Sequence, residues 1–265
     1  MINLTRILVP IALSPPCAWA VQYSAQLARR FGSELLFLYI GSRPRETVEA
    51  FVGPAVKETR HEIFIRQGDP ADAIVQFASE RSPSLIVMPT HSHGRFRRFL
   101  LGSVTAKVLH DVDYPVLTGV HRESVPLPVR ADFHQIVCAV DADQAFNSVI
   151  RDALELSLLL NAALTVVHAV PAADETSDNS GEMKLRKYLF REAEAKFAHL
   201  QREAGVDVKI SLAGGTVSTV VREAALRAGA DLVVIGRGHT QRALGRLRTH
   251  SYSIIRNSPC PVLSI

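Results

Sequence analysis

One pattern occurs twice along this chain, and that duplication limits what it can fold into more than any other feature. The apolar run Arg6-Ile7-Leu8-Val9-Pro10-Ile11 is answered by Gln135-Ile136-Val137-Cys138-Ala139-Val140. Near the ends of the copies, Leu85-Ile86-Val87-Met88 and Tyr114-Pro115-Val116-Leu117 return as Leu232-Val233-Val234-Ile235 and Cys260-Pro261-Val262-Leu263. Any site must therefore be sought twice, and a difference between the copies is informative. A chain of 265 residues divides naturally into two domains of about 130 residues each. The expected boundaries are 1–121 and 133–265. The segment 122–132, with Pro126 and Pro128 and little periodicity, reads as the linker.

Within the first copy, short apolar runs at 7–9, 35–40, 62–66, 85–88 and 116–119 alternate with amphipathic stretches. The second copy repeats them at 136–140, 164–170, 208–212, 232–235 and 262–265. Runs that are apolar throughout suit strands covered on both faces. Ser14-Pro15-Pro16 predicts a helix start, with the serine as N-cap and a proline at the first helical position, and Gly32 its end. Asp69-Pro70 opens another helix, and the spacing of Val104, Val108 and Leu109 predicts a helix over 103–110. The order is βαβαβαβαβ in each copy, hence α/β with two tandem doubly wound parallel sheets. The second copy departs by a polar, acidic insertion at 172–181, expected as a loop before a long helix over 182–203. The last strand of each copy is apolar and lies at a sheet edge, where unpaired backbone invites pairing. One chain is expected to satisfy both edges internally, as a pseudo-dimer.

A composition of 47% hydrophobic and 21% charged residues is ordinary for a globular protein, and a net charge of +4 permits anionic ligands. It lacks the concentrated Lys/Arg stripe of a nucleic-acid binder. Cys17, Cys138 and Cys260 are widely spaced in apolar runs, which suggests small core residues rather than a disulfide framework or metal knuckle. With neither a basic-then-apolar leader nor an apolar run of about 20 residues, the expectation is a cytoplasmic protein without a membrane span. No Gly-x-Ser-x-Gly elbow, Walker-type loop or paired carboxylates name a nucleophile or base. His91-x-His93 lacks a placed third metal ligand, and His168, which matches Tyr39 in the duplication, reads as a packed side chain.

In an open parallel sheet, ligands bind beyond the carboxyl ends of strands where strand order reverses, here the loops after the first and fourth strands of each copy. In the first copy the latter reads Met88-Pro89-Thr90-His91-Ser92-His93-Gly94-Arg95-Phe96-Arg97-Arg98-Phe99-Leu100-Leu101-Gly102-Ser103. In this stretch, in Tyr114-Pro115-Val116 and in the opening from Val9 to Pro15, the chain resembles the universal stress protein family. The resemblance covers both copies. It implies Rossmann-like, adenine nucleotide alpha hydrolase-like domains, a regulatory role in stress adaptation and an adenine nucleotide such as ATP as ligand. The family's phosphate sequence is Gly, two residues, Gly, nine residues, then Gly-Ser or Gly-Thr. Glycines let the backbone approach phosphate, and the helix that follows adds its positive dipole end.

Gly102 and Ser103 fit that pattern, whereas the first two glycines fall on Pro89 and Ser92, with Gly94 two residues later. In the first copy the resemblance implies contacts from Pro10, Ile40, Thr90, His91, Ser92 and Gly94, and from Gly102, Ser103 and Val104. The family's acidic residue after the first strand falls on Ala12 and is kept in the second copy as Asp141. There the loop begins Gly236-Arg237 and ends Arg248-Thr249, one residue shorter than its counterpart; Gly236, Arg237 and Thr249 are its implied contacts. Both loops gain positive charge, from His91, His93, Arg95, Arg97 and Arg98 in one and from Arg237, His239, Arg242, Arg246 and Arg248 in the other. Guanidinium groups suit phosphates. Three readings stay open: a nucleotide-binding stress regulator, an association scaffold with degenerate sites, and a slow nucleotide hydrolase that would need a metal the sequence does not identify. Family members pair through the final strand, which a tandem chain would satisfy internally; a homodimer of whole chains is a separate expectation.

Overall fold

The computed structural model describes residues 4–90, 101–120, 131–142, 146–170, 180–237 and 249–265. The first copy runs β1 (Arg6–Ile11), α1 (Pro15–Phe31), β2 (Glu34–Ile40), α2 (Arg45–Val56), β3 (His61–Arg66), α3 (Pro70–Arg81), β4 (Leu85–Met88), α4 (Ser103–Asp111) and β5 (Val116–Thr118). The second runs β6 (Gln135–Ala139), α5 (Phe146–Leu160), β7 (Ala163–Val170), α6 (Ser180–Ala204), β8 (Ile210–Gly214), α7 (Val217–Ala228), β9 (Leu232–Ile235), α8 (Thr249–Asn257) and β10 (Val262–Ser264). The expected linker lies outside the described residues apart from Ala131 and Asp132, as does most of the insertion expected at 172–181.

All ten strands form one sheet in the order β3-β2-β1-β4-β5-β10-β9-β6-β7-β8. Every neighbouring pair is parallel except β5–β10. The side-chain alternation of a strand sends Ile7, Val9 and Ile11 to the face covered by α1, α2, α5 and α6, and Leu8 to the face covered by α3, α4, α7 and α8. Each apolar layer runs unbroken through both copies, so the uniformly apolar strand sequences are those of strands buried on both sides. At the junction Val262, Leu263 and Ser264 lie opposite Thr118, Leu117 and Val116. Leu117 and Leu263 are equivalents in the duplication and face each other, which places a pseudo-twofold axis through that pair. The Thr118 hydroxyl donates to the Val262 carbonyl across the seam at 3.3 Å.

Local sequence explains most helix ends. Asp69 accepts a hydrogen bond from the Asp72 N–H at 3.0 Å, an N-cap as expected. Gly32, at φ 67°, ends α1 in the left-handed conformation. Ser14 occupies the N-cap of α1 but makes no side-chain cap. Pro16 removes one of the two N–H groups it could accept from, and the other, that of Cys17, goes instead to the Ser14 carbonyl at 2.9 Å. The strand expected at 208–212 is displaced to Ile210–Gly214. The Val206 and Val208 N–H groups are drawn to the Gln201 carbonyl and side chain, at 3.1 and 2.8 Å, so the chain joins β7 only from Ile210 onward.

Candidate functional site

Strand order in the first half reverses at β1, whose neighbours are β2 on one side and β4 on the other. The cleft therefore lies over the carboxyl ends of β1 and β4. Beyond β1 the chain turns sharply: Leu13 has φ 45°, a left-handed conformation that costs a residue with a side chain roughly 1–2 kcal/mol. The neighbouring bonds hold it there. The Ala12 N–H donates to Cys17 Sγ at 3.3 Å, and the Ser14 carbonyl accepts from the Cys17 and Ala18 N–H groups at 2.9 and 3.1 Å. Pro10 is buried in the strand just before this turn, and Ile40, half-buried, ends the adjacent β2.

Beyond β4, the strand beside β1, comes the start of α4. The Gly102 N–H donates to the Thr90 carbonyl at 2.9 Å, and the Thr105 hydroxyl donates to the Pro89 carbonyl at 3.0 Å. Both threonines are buried. These two bonds tie α4 to the end of β4. Gly102 is the N-cap and supplies no side chain to cap the helix. The N–H groups of Ser103, Val104 and Thr105 have no acceptor within the helix and form, with its dipole, an anion-seeking end. Ser103 is exposed and Val104 half-buried. The structure thus brings Thr90, Gly102, Ser103 and Val104 together, while His91, Ser92 and Gly94 lie outside the described residues, as do the other basic residues of that loop. Gly119, just past β5, is packed against the Trp19 ring; a Cβ there would come within 2.8 Å of it. Trp19 in turn stacks on Tyr23 with 4.8 Å between centroids. Sequence reading missed Leu13, Thr105 and Trp19. A glycine directly after the final strand was the one available signal for the last.

The second half is built differently at the same places. A Cβ on Gly236 would collide with Cγ2 of Val149 on α5, so the glycine makes room for core packing. Arg237 is buried. Its guanidinium donates to the Val112 carbonyl at 2.8 Å and to the Tyr114 carbonyl, both between α4 and β5 of the first half. Its N–H donates to the Ile265 carbonyl at 2.8 Å. The group expected at a phosphate is committed to backbone across the seam. Asp141, half-buried, places Oδ1 3.9 Å from Nδ1 of His168, which lies 2.8 Å from the Val140 carbonyl. The His168 ring packs edge-on against Phe197 at 4.8 Å, the packed histidine expected. Thr249 begins α8, and nothing further is described of its contacts.

Burial pushes the Cys138 and Cys260 thiols up to about 12 and raises that of Cys17, so none is a thiolate near neutral pH. Among the described residues no three His, Cys, Asp or Glu side chains converge as a metal site, and no helix is long and apolar enough to cross a membrane.

The sequence pattern of the universal stress protein family matches residues 45–118 and 132–265. A universal stress protein of Synechocystis is 37% identical over 57 residues, a match covering 22% of this chain and 20% of that protein's length. The crystal structure of a protein of unknown function from Pseudomonas aeruginosa superposes over 100% of this chain and 93% of its own, with TM-score 0.73 and 17% identity. A universal stress protein from Archaeoglobus fulgidus does so over 99% and 96%, with TM-score 0.66 and 20% identity. At such identities the likeness is one of fold.

Proposed function

Because the chain belongs to the universal stress protein family, we propose that its first half binds an adenine nucleotide such as ATP, with the phosphates at the N-terminus of α4, and that the chain acts in the cytoplasm as a nucleotide-responsive regulator of stress adaptation. The observation that carries the reading is the first turn of α4, with a glycine at its N-cap, tied through Gly102 and Thr105 to the end of β4 at the switch point of the sheet. Backbone N–H groups and the helix dipole favour an anion there without any side-chain charge. The adenosine end would lie toward Pro10 and Ile40, across the turn at Leu13. We divide the chain functionally at 1–121 and 133–265. The second half is taken as a structural partner, because Val149 fills the space at Gly236 and Arg237 is engaged with the first half.

Ala12, Pro89 and Ser92, which stand where the family keeps its acidic residue and its first two glycines, favour a second reading, in which neither half binds nucleotide and the chain is an association scaffold. Mass spectrometry of small molecules released on denaturation, followed by calorimetric titration with ATP, separates the two. Co-purified or saturably bound nucleotide supports the regulator. No ligand and no heat at millimolar ATP supports the scaffold, and release of ADP during titration would identify a hydrolase.

A further inference from the structure

Helix α4 is held from the second half at two places. Near its start, the Tyr252 hydroxyl on α8 donates to the Ala106 carbonyl at 3.3 Å. At its other end, the Arg237 guanidinium takes the carbonyl of Val112, which is the C-cap residue, and that of Tyr114 just beyond. These contacts are made by the half of the chain that does not contain the helix. They join positions more than 120 residues apart in sequence, and they bear on the helix whose N-terminus is the anion-binding end.

The duplication sharpens the point. Thr90 occupies the first-half position equivalent to Arg237, and its carbonyl closes its own loop by accepting the Gly102 N–H. Tyr252 is equivalent to Ala106, the residue whose carbonyl it meets. The two halves therefore differ at this position: Thr90 accepts from the start of α4 within its own half, while Arg237 reaches across to the end of that same helix. A guanidinium is suited to this because its fork spans two carbonyls and stays charged at any ordinary pH. Its position also matters. A cation at the C-terminus of a helix complements the negative end of the dipole, so Arg237 fixes α4 and stabilises the same charge separation that presents a positive end to phosphate.

We propose that Arg237 and Tyr252 are positioning residues, and that the second half braces α4 of the first so that its N-terminal N–H groups are held in register for an anion. The inference rests on the nucleotide reading given above. It concerns the phosphate end alone: nothing in the brace touches Pro10, Ile40 or the turn at Leu13, so contacts to the adenosine end are independent of it.

The test compares ATP with adenosine as calorimetric titrants of the full chain carrying Arg237→Met, Arg237→Lys or Tyr252→Phe. Loss of the brace is expected to weaken ATP about tenfold, within the usual range for coupling between sites, and to leave adenosine affinity within twofold. Arg237→Lys, which keeps the charge and one donor direction, should recover part of the loss. Tyr252→Phe, which removes one hydroxyl, provides a mild variant should Arg237→Met fold poorly. If ATP and adenosine affinities fall together, or if ATP affinity is unchanged in Arg237→Met and Tyr252→Phe, the brace is refuted while the nucleotide site stands. If the unmodified chain binds neither titrant, the nucleotide reading itself fails and the inference goes with it.

Discussion

Replacing Gly102 by aspartate sets two expectations in opposition. Gly102 has φ −58° and ψ 137°, an extended N-cap conformation open to any residue, so the substitution introduces no backbone strain. Aspartate is among the best N-caps and would accept from the Val104 or Thr105 N–H, a gain of a few tenths of a kcal/mol over glycine. Its charge at the positive end of α4 adds about 0.3–1 kcal/mol. A stability gain of that size corresponds to a melting temperature about 1–3 °C higher. For an anion the effect is opposite. The carboxylate would stand about 5 Å from a phosphate at the helix start, where an effective dielectric constant of about 20 gives a repulsion of about 3 kcal/mol, on the order of 100-fold in affinity. It also occupies the donors the phosphate needs. Calorimetric titration with ATP and thermal denaturation, run on the same preparations, read both effects. A protein that melts higher and binds ATP within threefold of the original would refute the assignment of phosphates to the N-terminus of α4.

Gly236→Ala should destabilise the fold by about 1–3 kcal/mol through overpacking against Val149, with Val149→Ala restoring part of it; chemical denaturation of the single and double variants checks this. Leu117→Ala and Leu263→Ala, at the centre of the β5–β10 seam, should each cost about 2–5 kcal/mol. Their costs should be non-additive because the two residues face each other. Above pH 9.0, stability should fall with rising pH. Folding raises the Cys138 and Cys260 thiols from 9.0 to about 12, so the unfolded chain loses protons first, and each thiol contributes a slope of about 1.4 kcal/mol per pH unit up to about pH 12. Cys138→Ala should flatten that slope in denaturation curves at pH 8–10.5. The Glu80 carboxyl is held below its ordinary value by the Arg66 hydrogen bond. Stability from this exposed pair is present above pH 4.5 and lost as pH falls through the lowered value, and Glu80→Gln should reduce the acid dependence of the melting temperature.

The doubly wound plan was legible because each strand announces itself as a short apolar run and each copy corroborates the other. Val116-Leu117-Thr118 and Val262-Leu263-Ser264 could be read as edges needing cover, and they cover each other. Asp69 as a cap and Gly32 as a helix end followed from local backbone requirements alone. The misplaced start of β8 had a non-local cause, since the side chain of Gln201 on α6 competes for the Val208 N–H. Gly102 and Ser103 were legible as the start of a helix, and the proposed phosphate site rests on that same local signal. Arg237 was opaque for a different reason. An arginine in a phosphate loop reads as an anion ligand, and its actual acceptors, the Val112 and Tyr114 carbonyls, are backbone groups in the other half that carry no side-chain signature. Gly236 misleads in the same way: a glycine that makes room for Val149 is indistinguishable in sequence from one that makes room for a phosphate.

In the proposed division of labour between two similar halves, one holds the ligand and the other holds the helix that receives it. The stoichiometry of ATP binding to the full chain, measured by calorimetry at saturating protein concentration, tests that division most directly. One molecule bound per chain, lost with Gly102→Asp, is the expected outcome. Two molecules per chain would place a nucleotide in the second half, and one that persists in the Gly102→Asp variant would place its phosphates away from the N-terminus of α4; either result contradicts it.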